Sequence, residues 1–379
     1  MYDAHWIPDK PASLSTYSDE TQLDRLRITW RQRRVMVIVA IGIVVALVAA
    51  VVLRVVASGG VGAGVFAPVD VAVGPGGEVF IYNHDGVFPN IKPFVVRIAS
   101  DGKQSVLAGT GSKGMPREGR ATASPLHGGD GLAVDSAGNV YIADMTTVER
   151  VTTDGTLSII AGTGKDGNPV AGPATASPIG DAEAVAVDPE GNVYIEDVSS
   201  NMVLKVTPDG VLSIFAGNGR ANFGTSSPVP GPATSTAVGT LCGMAIDTAG
   251  NLYITDSVDI YKITPEGVLS VYISEVANIM SPMGTAMALG PEGDVYVASR
   301  TTVMKLSRDG SRTNMVGDGK EGYPIGGNAL ASRWGRITGL DFDAQGDLYV
   351  SDNMADVVAR VTPSGVLSIL AHGPAGPPN

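Results

Sequence analysis

The sequence predicts an all-β protein made of six four-stranded units, and three observations carry this prediction. Residues 131–162 contain four short apolar runs, which are separated by tight turns at Gly138 and Gly155. Apolar and polar residues alternate within the runs, which is the pattern of half-buried strands. The same pattern occurs six times along the chain, at spacings of ~40 to 60 residues. Repeats of this length with four strands each are typical of a β-propeller, so six copies predict six blades.

The second and third strands of each unit carry the clearest repeat. The second strand keeps an aromatic residue at one position, namely Phe80, Tyr141, Tyr194, Tyr253, Tyr296 and Tyr349. The third strand keeps a cation, namely Arg97, Arg150, Lys205, Lys262, Lys305 and Arg360. Because a feature present in every copy serves the scaffold, we assign both sets to packing within the blades.

Composition agrees with this fold and restricts the partners. The chain has 379 residues with 49 Gly and 24 Pro, which suits many short strands joined by turns. Its net charge of −12 argues against a nucleic-acid partner. Cys242 is the single cysteine, so no internal disulfide forms, and its apolar neighbours predict a buried side chain.

The N-terminal part of the chain predicts a membrane anchor. Residues 1–34 are polar and are expected to form a largely disordered cytoplasmic tail. Residues 35–53 carry no charge and span ~28 Å as a helix, close to the ~30 Å hydrocarbon core. We therefore predict an uncleaved transmembrane helix, a signal-anchor, over residues 35–57. Five arginines precede the span, so the positive-inside rule places the N-terminus in the cytoplasm and the propeller outside the cell membrane. A cleaved signal peptide is the alternative, and the long leading segment argues against it.

The remaining boundaries follow from composition and from the repeats. Residues 58–65 are rich in glycine and predict a flexible linker. The six blades extend over residues 66–371, and residues 372–379 predict a short disordered tail. The propeller begins with a first strand and ends with a fourth strand. Closure therefore relies either on packing between blades 1 and 6 or on an added strand from residues 61–66.

These repeats resemble the NHL repeat. An Ala-Gly-Thr-Gly strand end at 161–164 leads into a Gly-Pro-Ala-Thr loop at 172–175 and an Asp-x-x-Gly-Asn-Val-Tyr hairpin at 188–194. Blade 1 departs from the pattern, with Gly74 in place of the aspartate and Phe80 in place of the tyrosine. With one span and an N-terminal tail, the chain is similar to the extracellular sensor domain of bacterial receptor-like Ser/Thr kinases, without the kinase. The resemblance implies a six-bladed NHL-type propeller with a sensor or binding role.

Long loops between successive blades are the expected binding regions, because loops on a rigid scaffold usually carry binding. They cover residues 110–130, 163–183, 218–242 and 318–338. Arg and aromatic side chains carry much of the energy of protein interfaces, and those that occur once in the repeat pattern are candidates. The candidate binding residues on these loops and on the blade 1 loop are Trp334, Arg333, Arg336, Tyr323, Phe223, Arg220, Phe88 and His84. The alternative is that each aromatic residue packs its own loop onto a blade.

Acidic residues are expected near the axis of the propeller. Asp130, Asp181 and Glu183 are weak candidates for a hard cation, but Ca²⁺ needs about six oxygen ligands in one place, so neither a metal nor another cofactor is predicted. Asp70 lies just inside the first strand of blade 1. Asp341 replaces an alanine of the other blades and is either a buried polar contact or an axial ligand.

The sequence favours binding over catalysis. His84 and His127 are the candidate general bases within the propeller, and neither lies in a recognisable catalytic motif. We predict a membrane-anchored, extracytoplasmic binding, sensor or scaffold module for a protein, peptide or envelope-glycan ligand. The alternative is a propeller-type hydrolase or lyase with an axial site that uses one of these histidines. A third possibility is a purely structural envelope component.

Overall fold

The computed structural model of the protein describes residues 66–85, 91–221, 230–238, 243–255, 259–274 and 286–373. Its strands form six antiparallel sheets, each built from strands that are consecutive in the chain. The first of the four repeated strands of each unit lies at the centre, and the fourth lies towards the outside. The predicted all-β, six-bladed β-propeller is thereby confirmed.

The strands of blades 1 to 3 have well-defined bounds. They are β1 (Pro68–Val73), β2 (Val79–Asp85), β3 (Lys92–Ile98), β4 (Gln104–Ala108), β5 (Gly119–Arg120), β6 (Gly131–Val134), β7 (Val140–Asp144), β8 (Thr147–Val151), β9 (Thr156–Ala161), β10 (Gly172–Pro173), β11 (Ala182–Val187), β12 (Val193–Asp197), β13 (Met202–Val206) and β14 (Val211–Ala216). Blade 1 contains β1 to β4, blade 2 contains β5 to β9, and blade 3 contains β10 to β14.

Blades 4 to 6 repeat this arrangement. Their strands are β15 (Gly231–Pro232), β16 (Gly243–Ile246), β17 (Leu252–Thr255), β18 (Ile260–Ile263), β19 (Val268–Ile273), β20 (Met287–Leu289), β21 (Val295–Ala298), β22 (Val303–Leu306), β23 (Arg312–Val316), β24 (Gly327–Asn328), β25 (Ile337–Phe342), β26 (Leu348–Asp352), β27 (Val357–Val361) and β28 (Val366–His372). Blade 4 contains β15 to β19, blade 5 contains β20 to β23, and blade 6 contains β24 to β28. The last strand includes His372, one residue beyond the predicted end of the propeller.

The strand register brings the two repeated residue types together. In every blade the aromatic residue of the second strand lies directly opposite the cation of the third strand. The Lys205 ammonium lies 5.2 Å from the centroid of the Tyr194 ring, and that of Lys262 lies 5.5 Å from the centroid of Tyr253. Such cation–π contacts stabilise the blade from within. Both sets are therefore scaffold.

The repeated tyrosine also fixes the turn between the first two strands. Tyrosine hydroxyls donate to turn aspartates in four blades: Tyr141 to Asp135 (3.1 Å), Tyr194 to Asp188 (3.2 Å), Tyr253 to Asp247 (3.2 Å) and Tyr349 to Asp343 (3.1 Å). Blades 1 and 5 have Gly74 and Gly290 in place of the aspartate. A Cβ added to Gly290 would lie 2.7 Å from Cε2 of Tyr296, so the ring takes the space of the missing side chain. Either an aspartate or a glycine at this turn position therefore accommodates the aromatic ring of the second strand.

The long loops contribute a fifth strand to four blades, which the sequence did not predict. The two-residue strands β5, β10, β15 and β24 pair with the outer strands β9, β14, β19 and β28. A short 3₁₀ helix follows each of them, at Ala121–Ala123, Ala174–Ala176, Ala233–Ser235 and Ala329–Ala331. The added strand covers an outer edge that would otherwise expose unpaired backbone groups.

The first alanine of each 3₁₀ helix joins two neighbouring blades. The Ala121 N–H donates to the Gly155 carbonyl of blade 2 (2.9 Å), and the Ala121 carbonyl accepts from Gly109 N–H of blade 1 (3.1 Å). Equivalent bonds are made by Ala174, Ala233 and Ala329, and all four alanines are buried. We call this arrangement the alanine clasp. The Gly-Pro-Ala-Thr motif is therefore part of the scaffold.

Polar side chains close the ring between blades 6 and 1. Asp341 Oδ2 accepts from Val73 N–H (2.7 Å), and Asp356 Oδ1 accepts from Ala67 N–H (2.7 Å). The Thr338 hydroxyl donates to the Pro68 carbonyl at 2.8 Å. Apolar residues of both blades form one core cluster: Val71, Val79, Ile81, Phe94, Val96, Ile98, Tyr349, Val358 and Ala371. Of the two interpretations of Asp341, the polar contact between blades is the one observed.

Several predicted features lie outside the described residues. They are the cytoplasmic tail, the transmembrane helix over 35–57, the linker and any strand from residues 61–65, together with Phe88, Phe223 and Cys242. Within the described part of the chain, no helix has the length and apolar character needed to cross a membrane. The predicted anchor therefore stays a prediction.

We expect Gly339→Ala to weaken the closure between blades 6 and 1. A Cβ at this position would lie 2.6 Å from Asp70 Oδ1 and 2.7 Å from the Val71 nitrogen, so blade 1 must shift. The free energy of unfolding, measured by chemical denaturation, should fall by about 1–3 kcal/mol, as for other overpacked sites. Gly231→Ala is the matched control, because a Cβ there meets no atom within 4 Å. Equal losses in the two variants would contradict this account of the closure.

Candidate functional site

The first strands of the six blades surround a central cavity of about 780 Å³. Most of its lining residues are Val, Ala, Leu, Ile and Met from β1, β6, β11, β16, β20 and β25, while polar atoms make up about half of the exposed wall. Sites for small ligands typically have volumes of ~300–1,000 Å³, apolar walls and a few polar groups. The axial cavity is therefore the candidate binding site.

Polar residues line the end of the cavity at which the first strands begin, which we call the mouth. Asp130, Glu183, Arg336, Thr338 and Asn353 line it. A β-bulge places Glu183 there, because its neighbours Ala182 and Ala184 pair with Asp197 and Glu196 and leave Glu183 without a partner in the register. Bulges commonly redirect side chains next to functional sites. Thr338 occupies the corresponding bulge in blade 6.

The three acids predicted near the axis lie close enough at the mouth for their charges to interact. They are Asp130, Asp181 and Glu183. Partial burial raises the pKa of Glu183 to about 7, and the carboxylates of Asp181 and Asp130 add to this shift. Partial burial also raises the pKa of Asp130, although the nearby His84 and Arg336 oppose the shift. Among the described residues, no three His, Cys, Asp or Glu side chains are arranged to hold a metal ion.

Glu196 is a further acid of the cavity that the sequence did not single out. It lies in β12, is 2 % exposed, lines the cavity, and its Oε1 has no hydrogen-bond partner among the described residues. Burial raises its pKa to about 8, and the Glu183 carboxylate adds to the shift. The equivalent residues of the other blades are Tyr82, Ala143, Thr255, Ala298 and Ser351. The sequence signal that could have identified Glu196 is a carboxylate present at this position in only one of the six repeats.

His84 lies beside this acidic group. Its Nε2 is 2.7 Å from the carbonyl oxygen of Gly129, which accepts hydrogen bonds but does not donate them. Nε2 therefore carries a proton, and Nδ1 faces Asp130 Oδ1 at 3.9 Å. His127 is placed differently, with its Nδ1 at 3.4 Å from the Thr146 hydroxyl.

Aspartates at the ends of the second strands hold the mouth residues in place. Asp144 accepts from the backbone N–H groups of residues 127–129 and from the Tyr82 hydroxyl, which fixes the chain just before Asp130. Asp352 accepts from the N–H groups of Gly335 and Arg336. Asp352 also accepts from the N–H groups of Met354 and Ala355 in the turn that follows its strand, so it anchors both the incoming loop and this turn.

The candidate binding residues fall into different environments. Trp334 is fully buried in the core of blade 6, and Tyr323 packs against the same cluster. A side chain without exposed surface does not contact a partner, so Trp334 packs its own loop, which was the alternative interpretation. Arg336 lines the cavity, whereas Arg333 and Arg220 are exposed and do not. Arg333 Nε lies 3.5 Å from Asp318 Oδ2.

A second buried acid, Glu149, lies away from the cavity. It is fully buried in β8, and neither carboxyl oxygen has a hydrogen-bond partner within the described part of the chain. Burial raises the pKa of this carboxyl well above its ordinary value, and the neighbouring Asp144 raises it further. The equivalent residues of the other blades are Val96, Leu204, Tyr261, Met304 and Ala359. A carboxyl group at this position is a source of instability.

Comparison with known proteins supports the fold. No protein-family profile matches the chain. Mouse Teneurin-4 is 21 % identical over 323 residues, which cover 75 % of this chain but only 11 % of Teneurin-4. The chain thus spans about a tenth of the length of this relative, and the identity is too low to assign a family.

Two solved structures share the architecture. A gluconolactonase from Xanthomonas campestris superposes with a TM-score of 0.51 at 15 % identity, covering 81 % of this chain and 88 % of the enzyme. A protein of unknown function from Bacteroides thetaiotaomicron gives a TM-score of 0.53 at 16 % identity, with 80 % and 70 % covered. At these identities the likeness establishes the propeller fold alone.

We expect Glu149→Leu to raise the free energy of unfolding by about 1–3 kcal/mol near pH 8, because it removes a buried carboxyl group without a partner. The pKa of this carboxyl is raised above 4.5 in the folded state. The unfolded chain therefore ionises first, and the native state loses stability as the pH rises. The gain should be larger near pH 8 than near pH 5 when both are measured by chemical denaturation. Glu118→Leu, at an exposed position, is the control. A gain that is independent of pH would contradict this explanation.

Proposed function

We propose that the chain is a membrane-anchored, extracytoplasmic propeller that binds a protein, peptide or envelope ligand as a sensor or scaffold module. The observation that carries this proposal is the axial cavity, which combines an apolar wall with a polar and largely acidic mouth. Ligand sites in proteins commonly combine a concave shape with a few polar groups in this way. The six-bladed scaffold holds the mouth residues on strands and on anchored loops, so the site is formed before a ligand arrives.

The cellular location in this proposal rests on the sequence. The uncharged segment 35–53 has the length of a membrane span, and arginines precede it. The resemblance of the repeats to the NHL repeat supports a sensor or scaffold role on the outer side. A single span would leave the propeller free to meet ligands outside the cytoplasm.

A photo-crosslinking amino acid placed at Arg336 in the full-length chain tests this function in cells. Arg336 lines the mouth, so a bound ligand should form an adduct there, and the adduct should be in the membrane fraction. Arg308, an exposed residue in the turn between β22 and β23, is the matched control and should give no adduct. Equal labelling from the two positions would exclude the mouth as the binding site. Recovery of the protein in the soluble fraction would contradict the anchor.

A propeller hydrolase or lyase is the second candidate, and one observation favours it. His84 Nδ1, the ring nitrogen that does not contact Gly129, lies 3.9 Å from Asp130 Oδ1 beside the cavity, so a candidate general base and a carboxyl group are neighbours there. If the protein is such an enzyme, His84→Ala should lower turnover at least ~100-fold in a screen of ester, lactone and glycan substrates. His372→Ala, in the last strand, is the control. Substrate turnover that His84→Ala leaves unchanged would remove this candidate.

A further inference from the structure

We propose that the mouth binds an alkylammonium group between the carboxylates of Glu183 and Glu196, with the carbon chain of the ligand against the apolar wall of the cavity. This inference rests on the proposed function and names the chemical class of its ligand. It uses the bulge that brings Glu183 beside Glu196 and the lack of a partner on Glu196 Oε1 within the described residues.

Glu196 is the starting point of the argument. A carboxylate oxygen buried without a donor is unfavourable, and such groups are rare unless a ligand or water completes them. The acids that neighbour it, Glu183 and beyond it Asp130 and Asp181, offer acceptors and no donors when ionised. A ligand that brings N–H donors would satisfy Glu196 and pair with Glu183 at the same time.

An ammonium group fits these carboxylates better than a metal ion does. It carries three N–H donors and one positive charge, so it can bond to two carboxylates at once. A hard metal ion needs about six oxygen ligands, and the described residues offer no such group. A metal ion would also leave the apolar wall unused, which Leu132, Val185 and Leu340 help to form. An alkyl chain would bury that surface.

The charges of the mouth agree with a cationic ligand. The charged and titratable groups around Glu196 are Glu183 on β11, then Asp130, Asp181, Arg336 and His84 along the mouth, and Asp70 on β1. Carboxyl groups thus outnumber the basic groups, and those that are ionised attract cations. Burial raises the pKa of Glu196 to about 8 and that of Glu183 to about 7, so near neutral pH in the empty site Glu196 is mostly protonated and Glu183 is about half protonated. An ammonium group would displace these protons. Its affinity should therefore rise between about pH 6 and pH 9, since an alkylamine stays protonated up to ~10.4.

Isothermal titration calorimetry on the full-length protein tests this inference with two probes. Butylammonium represents a free amine, and a capped pentapeptide with one central lysine represents a partner protein. Glu196→Gln and Glu183→Gln should each weaken binding about 10- to 100-fold, as expected for the loss of a charged hydrogen bond. Glu190→Gln is the matched control, because Glu190 is also exposed but lies beyond the opposite end of β11. Glu183→Gln guards against misfolding, since Glu183 is far more exposed than Glu196.

Each outcome of the titrations either supports or overturns the inference. Binding of both probes supports a free amine as the ligand, and binding of the peptide alone supports a lysine side chain of a partner. Neither probe binding, or binding unchanged in both glutamine variants, overturns the inference. Ca²⁺ binding that the same variants abolish would also overturn it in favour of a metal site. An adduct at position 336 without amine binding would refute the alkylammonium ligand and leave the proposed function standing.

Discussion

The alanine clasp is the constraint on which the rest of the propeller depends. A blade exposes two apolar faces, so it is stable only when neighbours cover both of them. The clasp fixes the distance between neighbours with two backbone hydrogen bonds on a buried alanine, at Ala121, Ala174, Ala233 and Ala329. A larger side chain at these positions would push the blades apart. Within the described residues, the clasp occurs between blades 1 and 2, 2 and 3, 3 and 4, and 5 and 6.

The closing junction uses a different chemistry, and this difference reaches the cavity. Asp341 replaces an alanine of the other blades and accepts from the Val73 N–H across the closing junction. Asp70 accepts from the Leu132 N–H of blade 2 at 2.8 Å, and Gly339 of blade 6 leaves the space that Asp70 occupies. Both carboxylates belong to first strands and line the cavity. Closure of the ring therefore adds Asp341 to the acids of the cavity wall.

The sequence predicted the features that repeat in every blade, but not the features that depend on tertiary contacts. The aromatic residues and cations of the blades, such as Tyr194 and Lys205, were predicted as a pair of scaffold positions because the same spacing occurs six times. The fifth strands were missed because two residues show no periodicity and Gly-Pro reads as a loop. Trp334 has the residue type of an interface anchor, but its burial depends on how the loop folds back. The predicted membrane span lies outside the described residues and rests on the sequence alone.

Two buried acids show why position relative to the cavity decides a role. Glu149 and Glu196 each lie on a strand, are buried and have oxygens without a partner within the described residues. Each also replaces a residue that is not acidic in the other blades. Glu149 is fully buried and does not line the axial cavity, so a ligand in that cavity does not contact it and its carboxyl group lowers stability. Glu196 lines the cavity beside Glu183, where a donor from outside can reach it. In the proposed alkylammonium site, contact with the ligand would relieve at Glu196 the same unfavourable burial that lowers the stability of the fold at Glu149.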